Sequence, residues 1–361
     1  MSAAEPIAPK ELPEYERVLA KSDQRVATFE EERPTLLKRV HDFLHGHPTA
    51  IPLIVLVVSV LFFSALVGDR FLHPFNLSLV IQQVTIIGIL GVAQTLVVLT
   101  GGIDLSVGAI MVLSSVVMGR LAVISGLPVL LALPAGLLVG AICGAINGSL
   151  VTFFRLPPFI VTLGTWNIFF ALNLWYSQSE TIRSQDIEQA APLLQWFGTA
   201  IDFLGARLTF GSIFMVLLFV LFWYILNWTA WGRHVHATGD DPDAARLAGI
   251  RTDRTLISVY IVGGLICSLA GWALIGRIGS VSPQAGVTAN LDSITAVVIG
   301  GTSLFGGRGA ILGTLLGALI VGVFRNGLAL WGVDVLWQEF AVGLLIILAV
   351  AIDQWLRKVS S

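Results

Sequence analysis

The chain has 361 residues, 55% of them hydrophobic and only 12% charged, against about a quarter charged in soluble proteins, which excludes an ordinary soluble globular domain. Its 21 Lys and Arg against 23 Asp and Glu, a net charge of -2, give no basis for a nucleic-acid partner. The composition is that of an all-α, polytopic membrane protein.

In chain order, the polar segment 1–47, with "EYERVLAKSDQRVATFEEE", reads as a loosely structured tail, and 48–361 as one transmembrane domain. The first apolar run, "IPLIVLVVSVLFFSALV" at 51–67, follows a polar lead too long for a signal peptide and precedes no small-residue cleavage site, so it is expected to stay in the chain as a helix. Further spans are expected at 78–100, 107–124, 128–154, 158–177, 211–230, 256–276, 291–305, 309–330 and 336–354. Most reach the roughly 20 apolar residues of a bilayer crossing. The short, glycine-interrupted 291–305 suits a partial helix packed inside protein. The total is about ten helices.

An even number of crossings puts both termini on one side. That side then carries Lys38, Arg39, Arg155, Arg233, Arg246, Arg251, Arg254, Arg308, Arg357 and Lys358, which makes it cytoplasmic by the positive-inside rule. The opposite side holds one sizeable loop, 177–210, where "SETIRSQDIEQAAPLLQWFG" gives a weak helical pattern and an interfacial Trp196. Its Arg183 and Arg207 are candidates for docking a partner's acidic side chains.

Two glycine series recur every four residues: Gly136, Gly140, Gly144 and Gly148, then Gly309, Gly313 and Gly317. On a helix each series makes a smooth stripe along which another backbone can approach. Between two apolar stretches lies "GGTSLFGGRG" at 300–309. Its glycine spacing imitates a phosphate-binding loop, but Gly307 and Arg308 stand where that loop needs Lys and Ser or Thr. A sharp turn between helices explains Gly306 and Gly307 better, with Arg308 at the surface.

The chemistry missing from the apolar spans is equally informative. All six histidines, His41, His45, His47, His73, His234 and His236, lie outside them, and no H-E-x-x-H pattern occurs. Cys143 and Cys267 fall inside spans and read as small core residues. Asp104, Asp292, Glu339 and Asp353 sit at span ends, so no mid-span carboxylate offers itself for ion coupling. A sodium-coupled carrier using carbonyls and hydroxyls and a non-transporting scaffold or receptor subunit remain as alternatives. No metal, cofactor or catalytic residue is expected. Energy for uphill transport would come from outside the bilayer.

The loop 231–255 contains "DDPDAARLAG", with Asp241 suited to the N-cap, Pro242 to the first helical position, Asp243 to the positive helix end and Gly249 to the stop. A helix this short needs a surface to dock on. Asp243, Ala244, Ala245, Arg246 and Gly249 resemble the E-A-A-x-x-x-G loop of ABC importer permeases, with Asp for Glu and without the usual hydrophobic-proline ending. Three further stretches, "LTGGIDLSVGAIM" at 99–111, "GAINGSLVTFFRLPPFIVTLGT" at 144–165 and "LDSITAVVIGGTSLFGGRGAILGTLLGALI" at 291–320, resemble the monosaccharide branch of those permeases. The likeness runs from about residue 50 to the C-terminus; the "EYERVL" tail and the first span are most similar to fructose import permeases.

That resemblance implies a permease in the inner membrane, surrounded by lipid, that pairs with a second copy, binds two cytoplasmic ATPase subunits through 231–255, and receives sugar from a periplasmic binding protein. A bulky residue at Ala244 or Ala245 would then block seating in the ATPase groove. In "GGIDLSVG", Gly101 and Gly102 are expected to form a tight turn, with Asp104 or Ser106 capping the helix that begins near Gly108. For a sugar path, Gln82, Gln83, Gln94, Asn167 and Asn173, beside Trp166, are the intramembrane polar candidates; the competing role for each amide is to tie helices together.

Overall fold

The computed structural model describes residues 49–286 and 288–359, with side chains through 348 and at 351. The tail 1–47 and its EYERVL stretch lie outside the described residues.

The helices follow the apolar runs: α1 Ala50–Val67, α2 Pro74–Leu99, α3 Val107–Gly119 extended by a π-turn Arg120–Ile124, α4 Val129–Phe153 and α5 Pro158–Ser177. The segment after α5 forms a short helix α6 (Ser184–Ala190), a 3-10 stretch Pro192–Gly198 and an antiparallel hairpin of β1 (Ala200–Phe203) and β2 (Ala206–Thr209). There follow α7 Phe210–Trp228, α8 Ala230–Asp240, α9 Pro242–Leu247, α10 Thr252–Ile278, α11 Ala289–Ile299, α12 Ile311–Leu330 and α13 Val335–Val359. Eight of these, among the described residues, are long and apolar enough to cross a membrane, and two shorter apolar helices, Ala289–Ile299 and Val335–Leu348, add to them. The fold is an all-α polytopic bundle of about ten helices. The hairpin is its only sheet among the described residues.

Helix α10 is the centre, packed on α2, α3 and α4. Lipid supplies no hydrophobic drive for helices to associate, so close approach and polar ties must hold them. The glycine stripe of α4 provides the first. A Cβ at Gly140 would strike the Ser268 side chain and the Gly264 carbonyl, and one at Gly144 would strike the Tyr260 carbonyl. The second stripe works likewise, with Gly313 against Gly300 and Gly317 against the Ala296 carbonyl. Among the polar ties, Thr95 and Thr314 hydroxyls meet at 2.6 Å, Ser114 and Ser268 at 2.9 Å, and the Asn76 and Asn326 amides exchange two bonds of 3.0 Å.

Helix α11 is indeed partial, its 11 residues spanning about 16 Å, roughly half a bilayer core. The chain reaches it through a segment held inside the bundle, where Asn173 donates to the Pro283 carbonyl (2.7 Å) and Asn290 to the Leu105 carbonyl (3.2 Å). The acids expected at span ends are partly used here. Arg325 on α12 pairs with Asp292 on α11 at 2.9 Å and with Glu339 on α13 at 3.1 Å, locking three helices at one point.

Candidate functional site

The helix ends gather residues into two regions at opposite ends of α2. At its Leu99 end three glycine-rich segments converge. Gly307 donates its N–H to the Leu99 carbonyl (2.9 Å), and His236 Nδ1 donates to the Gly307 carbonyl (3.2 Å). A Cβ at Gly239 would strike the Leu99 carbonyl, and one at Gly306 would meet the Gly239 carbonyl and Gly101 backbone. Gly101, Gly306 and Gly307 have φ of +78°, +88° and +71°, a region that side chains with a Cβ rarely adopt. "GGTSLFGGRG" is thus a tight turn, closed by Ser303 N–H donating to the Arg308 carbonyl (2.9 Å). Arg308 is exposed, as expected.

Beyond Gly102 the segment 102–106 turns back into the bundle and is tied from four sides, one of them the Asn290 bond to the Leu105 carbonyl. Thr162 on α5 donates to the Ile103 carbonyl (3.0 Å) and accepts from Leu105 N–H (3.1 Å). Asn147 on α4 donates to Ser106 Oγ (2.8 Å). Gln94 on α2, with its amide oriented to satisfy both atoms, donates to the Asp104 carbonyl and accepts from Asp104 N–H. Asp104 Oδ1 accepts from both the N–H (2.7 Å) and the hydroxyl (2.6 Å) of Ser106. Neither residue caps α3 with its side chain, since Ser106 makes no capping bond; Asp104 folds the turn before the helix instead. In this connecting segment between spans, burial pushes the Asp104 carboxyl up from 3.8 to about 6, against the two Ser106 bonds that pull it down.

Helix α9 lies at the edge of this face and has the expected punctuation. Asp241 Oδ1 accepts from the N–H groups of Asp243 and Ala244 at 3.0 Å each. Pro242 opens the helix, and Gly249 follows it at φ +86°. Arg246 reaches Asp243 (3.2 Å), Asp253 (3.5 Å) and Thr252 Oγ1 (2.8 Å). The two alanines separate: Ala244 is exposed, whereas Ala245 is buried against the chain's own body. A bulky residue at 245 would therefore unseat α9 from α10 before it met any partner. Leu247, absent from the sequence-derived candidates, is the apolar side chain turned outward, 91% exposed.

At the other end of α2, the Arg207 backbone on β2 is held by two side chains of the helix: its N–H donates to Ser78 Oγ (3.0 Å), and its carbonyl accepts from Gln82 (2.6 Å). Arg277 donates to the Gln83 carbonyl (3.1 Å). A cavity of about 180 Å³ opens here, lined among others by Gln82, Phe197, Arg207, Thr209 and Arg277. Arg183, just before α6, is exposed. Trp196 stands in an aromatic cluster with Phe197, Phe210 and Trp272.

The path candidates do not assemble into one site within a single chain. Gln94 and Asn173 are fully buried and tie the fold. Gln82 and Gln83 lie beside the hairpin. Asn167 is exposed and donates to its own helix at Leu163 (3.0 Å), next to Trp166, which stacks on Phe170.

Residues 76–350 match the family described as branched-chain amino acid transport system / permease component. The chain is 59% identical over 348 residues, covering 96% of itself and 97% of the relative, to the fructose import permease protein FrcC of Rhizobium meliloti. It is 40% identical to the ribose import permease protein RbsC of Bacillus subtilis (84% and 90% covered) and 34% identical to the D-allose transport system permease protein AlsC of Escherichia coli (84% and 91% covered). No solved structure matches it. The chain belongs to this permease family: it is a multi-pass membrane component of an import system and not an enzyme.

Proposed function

We propose that the chain forms the transmembrane path of an ATP-driven monosaccharide importer, with fructose the favoured cargo. The observation that carries this reading is the 59% identity to a fructose import permease over nearly the whole length of both chains. A second copy of the permease, two cytoplasmic ATP-binding subunits and a periplasmic binding protein complete the transporter. The protein sits in the inner membrane with both termini cytoplasmic, so the glycine-rich turn face is cytoplasmic and the hairpin face periplasmic. Exposed Arg155, Arg233, Arg246, Arg251, Arg254 and Arg308 on the turn face support that orientation.

In this arrangement 231–255 is the coupling loop and α9 its docking element. Asp241, Pro242, Asp243 and Gly249 shape the helix, and Ala244, Arg246 and Leu247 present its outer surface. Gln82, Gln83, Asn167 and Trp166 are the path candidates left accessible once Gln94 and Asn173 are assigned to the fold. An uncharged sugar needs such partners for its hydroxyls, and ring contacts, without a deep well that would trap it.

The test is uptake into proteoliposomes holding the permease, the ATP-binding subunit and the binding protein. Fructose should accumulate only with all three and ATP, and unlabelled fructose should compete better than ribose or allose. Uptake by the permease alone on a sodium gradient would overturn the ATP-driven reading.

A further inference from the structure

One large apolar side chain on the turn face has no role in the fold or the path. Phe305, at the tip of "GGTSLFGGRG", is 88% exposed. Only Leu247 on α9 is more exposed among the described large hydrophobic residues, at 91%. Phe305 does not stand on a loose loop. Its neighbours Gly306 and Gly307 are seated on the backbones of Gly239, Asp240 and Gly101 with no room for a Cβ, and Gly307 is hydrogen-bonded to Leu99 and His236.

The turn's immediate neighbours are charged. Asp240, Asp241 and Arg308 are all exposed, so Phe305 is presented beside charged side chains and not within an apolar helix run. The turn also abuts the last residues of α8, Gly239 and Asp240, which lead directly into the docking helix at Asp241. Phe305 thus continues the surface that α9 begins.

We infer that Phe305 is a second anchor for the cytoplasmic ATP-binding subunit, seated beside α9 and moved by the same partner. This rests on the reading of α9 as the docking element. An exposed aromatic held on a rigid support loses little freedom on burial, which suits an interface anchor. Its placement gives the contact a direct mechanical route: the turn joins α11 to α12 and is bonded to the end of α2, so a push on Phe305 reaches three helices through backbone alone.

The experiment uses the full transporter. Phe305→Asp, Phe305→Leu and Leu247→Asp permeases are each expressed with the ATP-binding subunit, and the subunit retained on the purified permease is measured against membrane abundance. Phe305→Asp should cut retention about tenfold, the loss of one aromatic anchor, while Phe305→Leu keeps most of it. A second measurement does not depend on the aspartate variant folding: a cysteine at 305, with native Cys143 and Cys267 buried, should crosslink to the ATP-binding subunit in the assembled complex. If Leu247→Asp loses the subunit but Phe305→Asp does not, the second anchor is wrong and α9 docking stands. If neither loses it, the docking reading itself falls. Crosslinking of residue 305 to the other permease copy, or to no protein, also overturns the inference.

Discussion

The two ends of α2 are built by different means. At the turn face, segments 99–102, 236–240 and 300–309 touch backbone to backbone, with glycines at the contacts and side chains turned either into the bundle or out to the surface. At the hairpin face, 177–210 is held mostly by aromatic side chains and strand pairing, with Trp196, Phe197, Phe210 and Trp272 filling the space under it, and by one backbone contact of the same closeness, Gly198 on Gly276. Backbone contacts have no slack, because a carbonyl cannot rotate away as a side chain can. The turn face, where several such contacts meet, is therefore suited to pass on a displacement, and the tip of the hairpin, where Gly205 has none, to accommodate one.

Substitutions at glycines break the comparison most strongly. Gly239→Val would place Cβ on the Leu99 carbonyl, where no side chain can yield. It should destabilise by more than about 3 kcal/mol, beyond ordinary core overpacking, and abolish the monodisperse protein recovered in detergent. Gly205→Ala in the hairpin is the matched control: its Cβ meets nothing nearer than Pro74 at 3.8 Å, leaving only the strain of φ +81°. That costs about 1 kcal/mol, read as a melting temperature lowered by a few degrees with abundance kept. Equal losses from both would show that the turn and the hairpin tip do not differ in stiffness.

Asp104 sharpens the same contrast through pH. Its folded pKa of about 6 lies above the ordinary 3.8 because burial disfavours the carboxylate. The fold binds this proton more tightly than the unfolded chain does, so the associated stability is complete below pH 4 and is lost as pH rises through 6. The loss amounts to about 3 kcal/mol. Asp104→Asn keeps an acceptor for the Ser106 bonds without the charge. It should raise thermal stability at pH 7.5 and flatten the fall between pH 4 and 6; an unchanged pH profile would remove Asp104 as its source.

How much of this was legible in the sequence differs between the faces for the same physical reason. The apolar runs located the helices, the four-residue glycine spacing marked the α4 and α12 stripes, and D-P-D with Gly249 delimited α9, since each is a local signal. The ties on 102–106 come from Gln94, Asn147, Thr162 and Asn290 on four other helices, and no local pattern encodes them. The hairpin was missed for another reason. "AIDFLGARLT" alternates as strands do, but its two-residue turn is Leu204–Gly205, with φ +49° and +81°, and Leu lacks the Asn or Asp that advertises such a turn. Leu247 and Phe305 looked like two more apolar residues in an apolar chain; only their exposure sets them apart.

The smallest expected effect belongs to the hairpin face. Arg183 and Arg207 are exposed and form no ion pair among the described residues. Arg207 faces Asp202 across the strands, yet the two do not come within salt-bridge distance. The Arg207 backbone is held on both sides, by Ser78 and Gln82, so the base of its side chain is fixed in place while its guanidinium stays free. Charges of this kind at the rim of an interface act on the rate of encounter more than on the lifetime of the complex. Reversing both to Glu should therefore leave stability and ATPase retention unchanged, and slow association with the binding protein by a few-fold to about tenfold at low ionic strength. The effect should shrink toward nothing at high salt, measured as the association rate of labelled binding protein on permease in nanodiscs. A change confined to the dissociation rate, or one indifferent to salt, would place these arginines in a tight buried contact. No change in either rate would remove the pair from the docking surface, leaving the hairpin as a cover for the end of α2.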